Sequence, residues 1–451
     1  IVAVTAGAAG TAACGDDDGT GPPSPSPTGE ATLGGAITGT RTLSRDTTYT
    51  IQGFVDVLPG ARLIVPGGTL LLSDLETRGS IITSRCEGGQ PSGQLIVQGT
   101  ASAPVHFRPE GSGPFLRGAA GGIILHGCAP INLPGGSGVS EGSNEPFGGT
   151  NANDSSGEIR YLTIEFGGVR ITPDNEINGL TMSGVGSATV VDHVQTHFIA
   201  DDGFEWFGGT VNGSFLVASG NDDDNLDCDN GWTGTVQFFF ALQDRNLGNR
   251  GAECDNDANG SDNQPATTPR VFNATFVGAG VQQANNEVND GLYLRRNTSG
   301  LYRNLIVTNF GNVGLVFDGG GVWTKVQSGA LSVDNALFFN NRALASPGAG
   351  DANPILVNVN RRVSGAYSLD EVAAAFAGET LIFADPQFRS VNFDNPINGT
   401  QPDPRPQTGS PALVPANAAV PSGPGVDASA TFLGAFSTTN WLDGWTVWNT
   451  N

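Results

Sequence analysis

The sequence is short of positive charge, methionine and helical pattern, and each shortage narrows the field. Lysine and arginine together number 21 against 44 aspartates and glutamates, a formal charge of −23. A field of that sign repels nucleic acid and anionic lipid headgroups, and favours cations or neutral partners. Beyond residue 14 no stretch is long and apolar enough to be a membrane helix. Only Ser368 to Phe376, opened by Ser-Leu-Asp-Glu, shows convincing helical periodicity. No two cysteines have the short spacing of zinc ligands, which argues against a zinc site. Against these shortages stand 66 glycines, a turn-rich β composition.

What is present is a succession of short β-branched runs. They include Ala61–Val65, Gln94–Gln98, Ile159–Glu165, Ala188–Asp192, Thr235–Phe240, Val271–Val277 and Leu305–Thr308. Glycine, asparagine or aspartate punctuates them, and many return after roughly 20–25 residues, a rung-like period. A Greek-key sandwich also has many short strands. A parallel β-helix better explains asparagine and glycine at corners all along the chain.

The N-terminal region suggests location before activity. Residues 1–13 are small and apolar, and Thr11-Ala12-Ala13-Cys14 resembles the lipobox of a bacterial lipoprotein. Residues 1–13 are then expected to be a signal-peptide remnant, with Cys14 as the acylated residue. The plainer reading is a disordered apolar tail with a free thiol. Residues 14–30 read as a flexible tether, because Asp16-Asp17-Asp18 and the Pro22–Pro27 tract cannot build a core. The acidic triplet resembles the export signal of lipoproteins displayed on the outer face of the outer membrane. The expected location is therefore the outer membrane, lipid-anchored at the cell surface, with the periplasmic face as the alternative. Residues 31–451 form the remaining unit, closed by a Trp- and Gly-rich cap. Cys86, Cys128, Cys228 and Cys254 are an even set suited to an oxidising compartment. Of their three connectivities, Cys86–Cys128 and Cys228–Cys254 are expected, since each pair closes a moderate loop within one region.

Several segments carry a family resemblance. Phe54–Thr69 followed by Gly93–Phe107 resembles the opening rungs of right-handed parallel β-helix lipoproteins of diderm bacteria. Gly203-Phe-Glu-Trp-Phe-Gly-Gly-Thr-Val211 and the closing Gly434–Phe436 and Asn440–Thr446 match the same group. Asp385-Pro-Gln-Phe388 with Gly409-Ser-Pro-Ala-Leu413 is similar to the final turns of pectate-lyase-like β-helices. The resemblance implies an all-β fold, a right-handed parallel β-helix with long Gly/Asn/Asp-rich loops, and says little about activity.

The chemistry concentrates between residues 201 and 262. Asp222, Asp223, Asp224, Asp227 and Asp229 crowd one loop, and Asp255, Asp257 and Asn259 with Gly260 reproduce half of a calcium loop. Ala266 stands where an EF-hand has its bidentate glutamate, so the expectation is a looser, structural calcium site built from these eight residues. A solvated acidic loop is the alternative. An enzyme would need more. Arg295-Arg296, Arg361-Arg362 and Lys325 could supply a lyase base, and Asp201-Asp202 a hydrolase pair, but the Gly-His-Gly and Arg-x-Lys companions of polygalacturonases are missing. His106, His126, His193 and His197 read as core or rim residues. Phe204, Trp206, Trp232, Tyr293 and Trp323 could stack on sugars or fill the core. The sequence favours a non-catalytic binding or scaffold protein, calcium-stabilised, with a glycan, nutrient or outer-membrane receptor as partner and nucleic acid excluded. Glycan cleavage by a lyase or hydrolase is the first alternative, and a fibre- or layer-forming surface protein the second.

Overall fold

A computed structural model describes residues 27–172, 175–280, 288–341, 359–362 and 369–450. Cys14, the residues before it and most of the tether lie outside these, so the anchor has no structural counterpart here.

From residue 157 onward each turn of the coil supplies one long, bent strand and one short strand. The long strands Gly157–Glu165, Val190–His197, Asn212–Ser219, Thr235–Leu242, Arg270–Val277, Gly300–Thr308 and Leu331–Phe339 pair in parallel, each with the next. The short strands Leu180–Ser183, Phe204–Phe207, Leu226–Asp229, Arg250–Cys254, Asp290–Leu294 and Leu315–Asp318 make a second parallel column. Gln94–Gln98 and Val105–Pro109 pair with the two halves of Gly157–Glu165 and carry the stack back to the N-terminal rungs. The fold is the expected right-handed parallel β-helix.

The bend has one cause throughout. Tyr161, His193, Phe215, Phe238, Asn273, Asn304 and Asn335 occupy the same place in successive rungs, each with φ between 49° and 61°. Asparagine tolerates this left-handed conformation through its short polar side chain. Aromatic side chains gain less from the backbone there, but the column lets them stack. Ring centroids are 4.2 Å apart for Tyr161–His193, 4.4 Å for His193–Phe215 and 4.6 Å for Phe215–Phe238. The corners are thus asparagine in the later rungs and aromatic in the earlier ones.

Inward residues alternate along each strand and fill one continuous core. Trp206 stacks on Trp232 at 4.7 Å, and both are fully buried with Phe204. Trp323 is buried in the same core, and Tyr293 is buried on the outward side of its strand beneath Arg250 and Arg295. These aromatics hold the solenoid together, and the exposed sugar platform considered for them is not formed.

Helix Leu369–Ala375 falls where the periodicity placed it. A second helix, Gly320–Ser328, was hidden by its glycine-rich start. The two meet through Trp323, whose indole N–H donates to Glu371 at 2.8 Å. Residues 417–450 run back along the side of the long strands instead of capping an end.

Both expected disulfides form, Cys86–Cys128 and Cys228–Cys254. Cys228 and Cys254 are register partners in neighbouring rungs and fully buried. Replacing both by alanine should lower unfolding stability by about 3 kcal/mol, as expected for a loop of this length. Urea denaturation of the double variant checks this, and an unchanged midpoint would show that stacking alone sets the register.

Candidate metal centre

Parallel register turns a residue type that recurs at one rung spacing into a column. Asp201-Asp202-Gly-Phe-Glu205 and Asp223-Asp224-Asn-Leu-Asp227 are the same pattern displaced by one rung of 22 residues. Pairing sets Glu205 beside Asp227 and Asp227 beside Glu253, on the outward side of the short strands. Just before those strands, Asp224 N–H donates to Asp202 Oδ1 at 2.8 Å, and Arg250 N–H to Asp224 Oδ1 at 2.8 Å. Both aspartates thus brace the turn of the following rung.

The carboxylates converge in three overlapping groups. Asp201, Asp202 and Asp223 form one, Asp202, Glu205 and Asp227 the next, and Asp224, Asp227 and Glu253 the third. Within each group one oxygen per residue lies within 4.8 Å of the others. At such a separation two full charges repel by about 3 kcal/mol for an effective dielectric near 20, more than a tenfold bias toward neutralisation.

Protonation supplies part of that. Burial, reinforced by the adjacent carboxylates, pushes Asp202, Glu205, Asp224 and Asp227 well above the usual carboxylate range. Burial and then Asp223 raise Asp201 to about 8. Asp229 and Glu253 rise to about 7, again chiefly through burial. Glu141, from the loop before strand Pro146–Phe147, shares a hydrogen bond with Glu205.

Among the described residues, direct arginine ion pairs gather at the C-terminal end. Glu253 meets Arg250 at 2.9 Å and also pairs with Arg295. Asp255 accepts from Arg295 at 2.8 Å and Arg296 at 2.7 Å. Among the described residues no cationic side chain forms an ion pair with Asp201, Asp202, Glu205, Asp223, Asp224 or Asp227. An all-oxygen, carboxylate-rich donor set of this kind fits a hard cation such as calcium.

The eight residues singled out from sequence divide. Asp223, Asp224 and Asp227 enter the groups, while Asp222 and Asp229 lie beside them with raised protonation points. Asp255 is taken by arginine. Asp257 accepts from the N–H groups of Asn259 at 2.8 Å and Ser261 at 3.1 Å, and from the Ser261 hydroxyl. The half calcium loop is therefore a turn closed on itself, and Asp257 and Asn259 belong to none of the three groups. Asp201, Asp202, Glu205 and Glu253 were not among the eight; the 22-residue repeat was the signal for Asp201, Asp202 and Glu205.

The remaining candidates are structural. Arg295 and Arg296 are engaged as described, and Lys325 lies 3.8 Å from exposed Asp262. The side chains of Arg361 and Arg362 lie outside the described residues. His126 and His197 are buried, which depresses each to about 4, so both stay neutral at physiological pH.

A family model described as a pectate-lyase like beta helix domain matches residues 35–378, most of the chain. The chain belongs to this family. No curated protein and no solved structure matches it at a significant level. In the pectate-lyase-like domain described here, the carboxylate column lies on the short-strand face of the rungs, and the family assignment alone does not say whether it cleaves anything.

The protonation points fix a pH dependence. The raised carboxyls hold more protons folded than unfolded between about pH 4 and 8, so their stabilisation is lost as pH rises through 7 and 8. The two buried histidines act oppositely, costing stability as pH falls from 6.5 toward 4. Cation-free protein should melt at a higher temperature at pH 6 than at pH 8.5. Equal melting temperatures in differential scanning calorimetry would mean that the column carries no net repulsion.

Proposed function

We propose that this β-helix is a non-catalytic binding or scaffold protein whose carboxylate column takes up calcium. It would be displayed on the outer membrane through lipid on Cys14, and would present its solenoid to a glycan, nutrient or outer-membrane receptor partner. The observation that carries the cation reading is the uneven neutralisation of the column. Arginine ion pairs serve its C-terminal end, while among the described residues Asp202, Glu205 and Asp227 have no ion pair, Glu205 being met only by the Asn178 amide and the Glu141 carboxyl. A divalent cation replaces their protons at neutral pH and removes the repulsion. It would be held by Asp202, Glu205 and Asp227, with Asp201, Asp223, Asp224 and Glu253 adjoining. Its role would be structural, linking successive rungs from outside as the buried disulfide links them from within.

Calorimetric titration of chelator-stripped protein with calcium should give saturable heats at pH 7.5. Asp227→Asn should weaken binding at least about tenfold, since one shared charged ligand is lost from two groups. Asp257→Asn should leave it unchanged. Flat heats with the unaltered chain, or loss of binding in Asp257→Asn alone, would overturn this assignment.

Glycan cleavage is the second reading, favoured by one observation. A raised, partly open Asp201 stands beside Asp223, an arrangement in which the protonated Asp201 carboxyl can act as a proton donor next to a second carboxyl. Neutral and acidic polysaccharides incubated with the protein, with and without calcium, would then yield new reducing ends or unsaturated products. Those products should vanish in Asp201→Asn. Their complete absence across both substrate classes leaves the binding reading.

A further inference from the structure

The side of the solenoid formed by the long strands is covered by residues 417–450, and the manner of the covering is unusual. Three carboxamides each grip one residue of the strap by both its backbone N–H and its C=O. Gln195 donates to Val447 O at 2.8 Å and accepts from Val447 N–H at 2.7 Å. Gln237 does the same with Asp427, at 3.0 and 2.7 Å, and Asn304 with Ala419, at 2.9 and 2.7 Å. Asn273 donates to Ala430 O at 3.1 Å and Phe432 O at 2.8 Å, and Asn335 to Asn417 O at 3.0 Å. At Gly434, with φ +81°, the strap main chain presses so close that a Cβ would meet Thr275 and Ile306 at 2.6 Å. Polar recognition of the strap thus goes almost wholly to its main chain.

The strap's side chains add apolar anchors without borrowing hydrogen bonds. Trp441 stands edge-on to Phe215 at 5.4 Å, and Trp445 to Tyr161 at 5.8 Å, so both seat on the aromatic corner column. Their indole N–H groups are satisfied inside the strap, Trp441 by Ala435 O at 2.8 Å and Trp445 by Trp441 O at 2.7 Å. Trp448 donates to Thr446 Oγ1 at 2.8 Å. The strap therefore brings its own internal bonding, and asks of the solenoid a set of carboxamides, bonds from His197 and Thr275, and an apolar surface on which Leu433, Phe436 and Leu442 also seat. That is the division seen in peptide grooves, where main-chain bonds give affinity and side-chain seats give selectivity.

We propose that this side of the solenoid is a peptide-binding groove, filled at rest by the chain's own residues 417–450 and able to accept the same segment from a second copy. The second copy is the fitting occupant because the aromatic seats match Trp441, Trp445 and Trp448 at their own spacing. The contacts to the long strands can be made equally by a strap arriving from a neighbour, whereas the bonds to Gln401 and Arg405 are to the segment that leads into the strap. Covalent attachment favours self-filling through effective concentration, and exchange follows when the strap lifts.

Ser422 to Gly425 are exposed and lie between the Ala419 and Asp427 contacts, so a protease site substituted there cuts the strap within the full folded chain. After cleavage, fragment 426–451 should co-elute with the solenoid, and added fluorescent fragment 426–451 should exchange into it saturably. In the same protein carrying Gln195→Leu and Gln237→Leu, release should quicken by roughly ten- to a hundredfold, two paired amides having been lost. Hydrogen exchange on the uncut double variant gives a second readout: amides near Asp427 and Val447 should lose protection while the rungs keep theirs. Immediate loss of the fragment, retention without any exchange, or release unaffected by the glutamine substitutions would each overturn the proposal.

Discussion

In a parallel solenoid every rung lies about 4.8 Å from the next, with like positions facing like. A side chain on one rung therefore meets whatever the repeat puts at the same place in the adjacent one. Where that is an aromatic ring the column gains, because rings stack. Where it is a carboxylate the column repels itself. The aromatic corner and the acidic column both follow from this constraint acting on two residue types.

The acidic column contains its own comparison. At Glu253 and Asp255 the chain places three arginines, Arg250, Arg295 and Arg296, against the charge. One rung earlier Asp227, and two rungs earlier Asp202 and Glu205, are crowded in the same way without an arginine ion pair. A fold that needed only neutrality could have repeated the arginine device. Burial and mutual repulsion instead hold these carboxyls well above the usual carboxylate range, which favours protons or a divalent cation over bare charge. The repulsion is also poorly explained as a packing requirement, since the inward partner residues Phe204, Trp206 and Leu226 already fill the core.

Much of this was legible in the sequence, and the misses have physical reasons. The rung spacing and the β-branched runs identified the solenoid because stacking depends on local pattern repeated at a distance. The disulfide pairs were legible because each links nearby rungs. The aspartates at 223, 224 and 227 announced themselves by density, whereas Glu205 stood in an apolar Phe-Glu-Trp context and needed the register to connect it with Asp227. Asp257 and Asn259 misdirected the reading because an Asx turn and a calcium loop share the same opening residues. The strap was the hardest to foresee. Its polar contacts run through its main chain, which leaves no side-chain pattern, so its Trp-rich end suggested a cap.

Strap and column bear differently on cooperativity. In repeat proteins each rung touches only its neighbours, so stability spreads from rung to rung and the array can fray. The acidic column weakens coupling locally, between the rungs of Asp202 and Glu253. The strap crosses from the rung of Asn335 to that of Tyr161 and ties them through one segment, adding contacts that nearest-neighbour stacking cannot supply. Because it spans the rungs that carry the acidic residues, it can hold them in register while their charges repel on another side of the coil. A solenoid braced in this way tolerates a self-repelling column that an unstrapped one would relieve by unwinding.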